Sequence, residues 1–269
     1  MSKEIVIKTE KTTNYIYLQD KGSSIPILFL HGFTGSHRSW DEVLEKIKVS
    51  TVTIDLPGHG KSIFNNLRKD YNIDDWCEDF NKILGTLKIS KIDLCGYSMG
   101  GRLAINFASK YPEKFNKLIL ESTSYGIENK NDKEVRLERD LKLCALIEKD
   151  LRQFIRKWEN NALFLKQRDR SLDSFLKQRK ERLLHNPRQL SKALISFSQG
   201  KMDVCINSFY NFNFPTLIIN GSEDSKYVKI GAKILLATQR ATHHIVSDAG
   251  HNVHIEKCFD FVKLIIPEK

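Results

Sequence analysis

A chain of 269 residues, 41% hydrophobic and 28% charged, is long enough for one sizeable core and too polar for a membrane-embedded bundle. Its formal charge of +10 invites an anionic partner, yet the lysines are dispersed and no nucleic-acid-binding motif appears, so a nucleic-acid partner is not expected. Five scattered cysteines (Cys77, Cys95, Cys144, Cys205 and Cys258) include no C-x-x-C pair and read as reduced residues, not as a disulfide framework.

Taken in order, the chain opens on Met1-Ser2-Lys3-Glu4-Ile5, with charge where a secretory leader needs apolar residues. No apolar run approaches the length of a membrane span, so the expectation is a cytoplasmic protein without membrane insertion. Ile5 to Ile7 and Asn14 to Leu18 read as an antiparallel edge. Ile25 to Leu30 is a continuous apolar run, as expected of a strand buried on both faces. A short helix from Trp40 to Ile47, a strand from Thr51 to Ile54, a Pro/Gly-dense loop from Asp55 to Ser62 and a helix from Ile73 to Leu87 follow. Ile92 to Cys95 and Lys117 to Glu121 are two further strands, with a helix starting near Met99 between them. Buried strands alternating with helices predict an α/β protein with a mostly parallel sheet covered on both faces.

The rhythm then changes. Helical patterns occupy Glu134 to Lys149, Leu151 to Trp158, Leu172 to Leu184 and Arg188 to Phe197, with no convincing strand among them. The sheet resumes at Pro215 to Asn220, followed by a helix from Val228 to Leu236, a strand from His244 to Val246 and a last helix near Phe259 to Ile265. The expected organisation is a core of residues 1–130 and 211–269, interrupted by a helical cap over 131–210. Nine of the thirteen arginines fall between Arg136 and Arg188. They form either a charged helical face or the lining of a carboxylate pocket, which the planar guanidinium fork suits.

Chemistry converges on Gly96-Tyr97-Ser98-Met99-Gly100, a G-x-S-x-G turn between strand and helix. So tight a turn projects a serine hydroxyl out of the sheet, and small residues two positions either side relieve the crowding. Asp224 follows a later strand and His251 the last one, which gives the order Ser…Asp…His of the α/β-hydrolase fold. In such a triad His251 takes the Ser98 proton, while Asp224 orients the imidazole and stabilises its charged form. Phe33, in His31-Gly32-Phe33 after the early strand, and Met99 would supply the two N–H groups of an oxyanion hole. Glu223 is the weaker candidate for the acid. His243, His244 and His254 raise a metal site as an alternative, but no carboxylate or cysteine accompanies them at a recognisable spacing, so neither metal nor cofactor is expected.

The chain resembles the 2-succinyl-6-hydroxy-2,4-cyclohexadiene-1-carboxylate synthases, the menaquinone-pathway family of the α/β-hydrolase superfamily. The resemblance runs nearly end to end, through His31-Gly32-Phe33, Asp55-Leu56-Pro57-Gly58-His59-Gly60, Gly96 to Arg102, Glu121 to Ile127, Gly221 to Tyr227 and Ala249-Gly250-His251-Asn252. The cap pattern of Arg136 with Asp140, Trp158 with Phe164, and Arg182 ahead of Asn186-Pro187 also matches. It implies that Arg102, Arg136 and Arg182 bind the carboxylates of a small polycarboxylate substrate, that Tyr97 and Trp158 line the pocket, and that the triad serves a lyase expelling pyruvate. The segment Phe197 to Met202 departs from the family's Gly-Thr-Gly-rich pattern. The rival readings are a serine esterase or C–C hydrolase with the same triad, and a non-catalytic binding protein of the same fold, which would lack a triad member.

Overall fold

The antiparallel edge comes first in the chain: β1 (Lys3–Lys8) pairs with β2 (Thr12–Gln19), Ile5 opposite Ile16. In the computed structural model, which describes residues 3–161, 163, 164 and 167–266, the strands β3 (Ile27–Leu30) and β4 (Thr51–Ile54) are buried at every position. Such continuous burial is what their unbroken apolar and β-branched character anticipates. Between them stand a single 3-10 turn, His37–Trp40, and the short helix α1 (Asp41–Lys46). A two-residue strand, β5 (Ile63–Phe64), adds to β2 and is too short to leave a pattern in the sequence.

Helix α2 (Ile73–Thr86) starts at a reciprocal cap, in which Asn72 accepts the Asp75 N–H and Asp75 accepts the Asn72 N–H. β6 (Ile92–Tyr97), α3 (Met99–Lys110) and β7 (Phe115–Glu121) complete the first half of the parallel sheet. β8 (Thr216–Gly221), α9 (Ser225–Leu236), β9 (Ala241–Val246), the one-turn α10 (Val253–Glu256) and α11 (Cys258–Ile265) complete the second. The sheet order is β1-β2-β4-β3-β6-β7-β8-β9, parallel from β4 to β9.

The period-2 alternation of side chains divides the core in two. Leu28, Leu30, Leu94, Leu118 and Leu120 pack on one face with residues of α2 and α3, where Trp76 and Phe80 stack with centroids 4.8 Å apart. Ile27, Phe29, Cys95, Ile119 and Leu217 pack on the other face with Trp40, Val43 and Phe261.

Between β7 and β8 the described residues contain helices and no strand: α4 (Lys130–Lys149), α5 (Leu151–Glu159), α6 (Gln167–Arg170), α7 (Leu172–Arg182) and α8 (Pro187–Ser196), then a 3-10 turn at Ile206–Asn211. Asn129, Asp150 and Asn186 cap three of these helices with side-chain oxygens, and Pro187 occupies the first helical position of α8. Cys144, Ile147, Phe154, Ile155, Leu190 and Leu194 form a separate apolar cluster here, against which Phe33 and Trp158 pack.

Candidate active site

The parallel strands β3, β6, β8 and β9 end on the same edge of the sheet, so the residues that follow them gather there although up to 220 positions apart. Ser98 follows β6 with φ 49° and ψ −103°. That is a strained conformation for a residue with a Cβ, costing on the order of 1–3 kcal/mol, and its neighbours enforce it. A Cβ on Gly96 would lie 2.6 Å from the Gly100 carbonyl oxygen, and one on Gly100 would lie 2.3 Å from that of Leu30. The crowding expected at the G-x-S-x-G turn is present on both sides. The Ser98 N–H donates to the Glu121 carbonyl at 2.9 Å, and Thr123 Oγ1 donates to the Ser98 carbonyl at 2.8 Å. The turn is thus anchored to β7 and to the loop after it.

His251 Nε2 lies 3.1 Å from Ser98 Oγ, and His251 Nδ1 lies 2.7 Å from Asp224 Oδ2. Asp224 and His251 are both buried. Their loops touch through backbone: the Glu223 N–H donates to the Ala249 carbonyl at 3.0 Å, and a Cβ on Gly221 would lie 2.1 Å from the Gly250 carbonyl. Glu223 forms an ion pair with Arg170. The N–H groups of Phe33 and Met99 have no acceptor among the described residues.

Of the predicted arginines, Arg102 stands apart. It is 7% exposed, donates from Nη2 to the Phe197 carbonyl at 3.1 Å, and its buried Nε has no partner among the described residues. Burial, reinforced by nearby Arg136, lowers its pKa to about 10. Arg136 forms a fork on Asp140, with Nε 2.9 Å from each carboxylate oxygen, and also reaches Gln199. Asp140 further accepts from Ser198 Oγ at 2.7 Å. The segment Phe197 to Met202, where the sequence departs from its family pattern, therefore supplies the groups that hold both arginines. Arg182 is buried between Glu159 Oε1 and Gln178 Oε1, each at 3.1 Å, and burial lowers its pKa against the pull of Glu159.

Two tyrosine rings pack against His251. Tyr227 lies with its ring centroid 4.6 Å from that of His251, and its phenol feels Arg102, Asp224 and Arg136. Tyr97 lies 5.4 Å from His251, and its phenol feels Arg182. Arg182 lies over the Phe164 ring, with Cζ 5.9 Å from its centroid. Trp158 packs edge-on to Phe33 at 5.4 Å and against Phe164 at 5.9 Å, and Phe164 meets His251 at 5.9 Å. The Trp158 indole N–H is buried without a partner among the described residues. A cavity of about 590 Å³ is bounded by Gly32, Phe33, Tyr97, Phe164, Arg182 and His254, among others. Ser98, His251, Arg102, Arg136 and Trp158 are not on its wall; of the residues expected to line the pocket, Tyr97 and Arg182 are.

Two of the histidines near His251 have partners of their own. His254 Nδ1 sits 2.8 Å from the buried Glu121 carboxylate, and His243 Nε2 sits 2.8 Å from Asn220 Oδ1. Tyr227, Thr123 and Glu121 belong to the site although the sequence reading gave them no role. The available signal was Tyr227's place three residues after Asp224, in the first turn of α9.

The model of the α/β-hydrolase fold family matches residues 25–257. A Bacillus subtilis protein provisionally assigned as 2-succinyl-6-hydroxy-2,4-cyclohexadiene-1-carboxylate synthase is 35% identical over 90% of this chain and 89% of its own length. The Citrobacter koseri 2-succinyl-6-hydroxy-2,4-cyclohexadiene-1-carboxylate synthase is 28% identical over 86% of this chain and 88% of its own. Among solved structures, MenH from S. aureus superposes with a TM-score of 0.88 at 29% identity, covering 93% of this chain and 96% of that one. The enol-lactonase from Burkholderia xenovorans LB400 shares the fold at a TM-score of 0.78 and 18% identity, over 97% of this chain and 98% of its own. An assembled Ser98–His251–Asp224 hydrogen-bond chain, flanking arginines and relatives matched over nearly their whole length place this chain in the α/β-hydrolase fold family and, within it, among the 2-succinyl-6-hydroxy-2,4-cyclohexadiene-1-carboxylate synthases.

Proposed function

We propose that this lyase expels pyruvate from 2-succinyl-5-enolpyruvyl-6-hydroxy-3-cyclohexene-1-carboxylate, giving the cyclohexadiene product of menaquinone biosynthesis, with Ser98 as the base. His251 draws the Ser98 proton, and Asp224 stabilises the resulting imidazolium. The Ser98 oxygen removes the ring C–H beside the succinyl ketone, and the electrons pass into that carbonyl. The N–H groups of Phe33 and Met99, with the N-terminus of α3 behind Met99, stabilise the enolate. Collapse of the enolate shifts the ring alkene, breaks the ring C–O bond and releases the enolpyruvyl group. The proton held by His251 returns to that group as it becomes pyruvate, and the enzyme is restored.

The observation that carries this reading is Arg102. A buried guanidinium with no carboxylate partner among the described residues is costly unless a bound anion completes it. Arg136 and Arg182 already hold Asp140 and Glu159, so they contribute direction and a remainder of charge. Buried arginines fit a substrate with more than one carboxylate, Tyr97 lines the cavity beside Arg182, and Trp158 packs behind its Phe33 and Phe164 walls. Helices α4–α8, over 131–210, act as the cap on a core of 1–130 and 211–269. Small polycarboxylate chemistry and five free cysteines fit a cytoplasmic enzyme.

The deciding experiment follows pyruvate release from the enolpyruvyl substrate under single-turnover conditions, with intact-mass sampling of the enzyme. Pyruvate should appear with no adduct on Ser98. A Ser98 ester that forms and decays at the rate of turnover would instead make the protein a hydrolase of the same fold.

A further inference from the structure

The acid and the base of the triad sit on neighbouring loops, and one short helix of the cap grips both. Arg170, the last residue of α6, donates through Nη1 to Glu256 Oε2 at 2.9 Å and through Nη2 to Glu223 Oε1. Glu223 immediately precedes Asp224. Glu256 Oε2 also accepts the Gly250 N–H at 3.0 Å, and Gly250 immediately precedes His251. The fit is close, since a Cβ on Gly250 would lie 2.9 Å from Glu256 Oε1. From the start of the same helix, the buried Gln167 accepts Asn252 Nδ2 at 2.8 Å, on the other side of His251. The Gln167 amide in turn donates to Gln178 Oε1 at 2.8 Å, the oxygen that also accepts from Arg182.

An exposed ion pair would contribute little. The Glu256 carboxylate, however, is only 2% exposed, and without Arg170 it keeps the Gly250 N–H against a buried charge. The relief available is for Glu256 to turn towards water, which frees Gly250 and with it the backbone that aims His251. We propose that Arg170 and Gln167 are positioning residues, which hold His251 and Asp224 in line with Ser98 by acting through Glu256, Glu223 and Asn252. The inference rests on the triad reading above.

The test compares the full-length protein with Arg170→Met, Arg170→Lys and Gln167→Met. It measures kcat and KM for pyruvate release and the rate of Ser98 phosphonylation by a small neutral fluorophosphonate, which needs an aligned triad but no arginine pocket. In Arg170→Met both kcat and the phosphonylation rate should fall together by about ten- to a hundredfold, with KM nearly unchanged. Arg170→Lys should recover part of the loss, and Gln167→Met should show the same pairing more weakly. Phosphonylation of folded Arg170→Met at the wild-type rate, with or without a lowered melting temperature, would overturn the proposal. Should Arg170→Met not fold, Gln167→Met and Glu256→Gln carry the test, and wild-type phosphonylation in both would overturn it equally. A wild-type protein that resists phosphonylation would refute the triad and this inference with it. Phosphonylation without pyruvate release would refute the lyase reading alone.

Discussion

Arg102 and Phe197 are joined by a 3.1 Å hydrogen bond from guanidinium Nη2 to a backbone carbonyl, in a place where no described carboxylate reaches the cation. The strand-to-helix turn at Ser98 brings Arg102 one helical turn behind that serine, and the segment after α8 closes over it. A cation buried this way costs stability and has value once an anion arrives.

That asymmetry makes Arg102→Met informative. The variant should fold and melt at or above the temperature of the parent protein, because an uncompensated buried charge has been removed. Its kcat/KM should nevertheless fall about ten- to a hundredfold, the equivalent of roughly 1.5–3 kcal/mol for a charge-assisted hydrogen bond. Arg102→Lys should recover only part of the loss, since an ammonium cannot present the planar fork. Calorimetry beside steady-state kinetics checks both halves, and an unchanged kcat/KM would remove Arg102 from the site.

Ser98, His251 and Asp224 form one hydrogen-bonded chain, so their contributions should not add. Ser98→Ala, His251→Ala and Asp224→Asn should each lower turnover by orders of magnitude. The double variant Ser98→Ala/His251→Ala should be little worse than the worse single one. Near-normal turnover in folded Asp224→Asn would point to a different acid.

Tyr227 packs against His251 with ring centroids 4.6 Å apart, and burial raises the pKa of its phenol. Tyr227→Phe tests whether its hydroxyl shares a bound carboxylate with Arg102. Tyr227→Phe keeps the ring beside His251 and should raise KM roughly two- to tenfold, as one neutral hydrogen bond of about 0.5–1.5 kcal/mol predicts, with kcat little affected. A fall in kcat at constant KM would assign the hydroxyl to the chemical step instead.

Acid should undo the fold through three buried histidines around the loop that follows β3. His31 is pushed by burial from the ordinary value of 6.5 to about 4, and burial likewise lowers His59 and His185. His31 Nε2 accepts the Leu56 N–H at 3.0 Å, and His185 joins the Thr34 carbonyl at 3.0 Å to the Gly60 N–H at 3.3 Å. All three are neutral in the folded protein, whereas the unfolded chain takes up their protons below about pH 6.5. Stability is therefore fully present above that pH and falls as pH drops towards 4, by up to about 1.4 kcal/mol per pH unit for each histidine. Denaturant midpoints from pH 7.5 to 5 should show the decline, and His185→Gln should flatten it. A midpoint independent of pH over that range would contradict the assignment.

Much of the fold was legible because strands and helices write their periods locally. The apolar runs at Ile27–Leu30 and Thr216–Gly221 and the turn at Ser98 each carry their signal within a few residues. The same locality explains what went unread: β5, α6 and α10 are two to four residues long, below the length at which a period shows.

For the site, the residue types at the strand ends and their order are readable along the chain, because parallel topology carries every such end to one edge. The density of arginines between β7 and β8 is equally plain there. Folding in three dimensions settles which arginine is left without a carboxylate: Arg136 has Asp140 within its own helix, Arg182 meets Glu159 across helices, and Arg102 meets a carbonyl 95 residues away. It also decided that His254 belongs to Glu121, 133 residues before it, and that Arg170 reaches both triad loops. Whether a buried charge is paired depends on which side chains folding brings within about 4 Å of it. No periodicity along the chain encodes that distance.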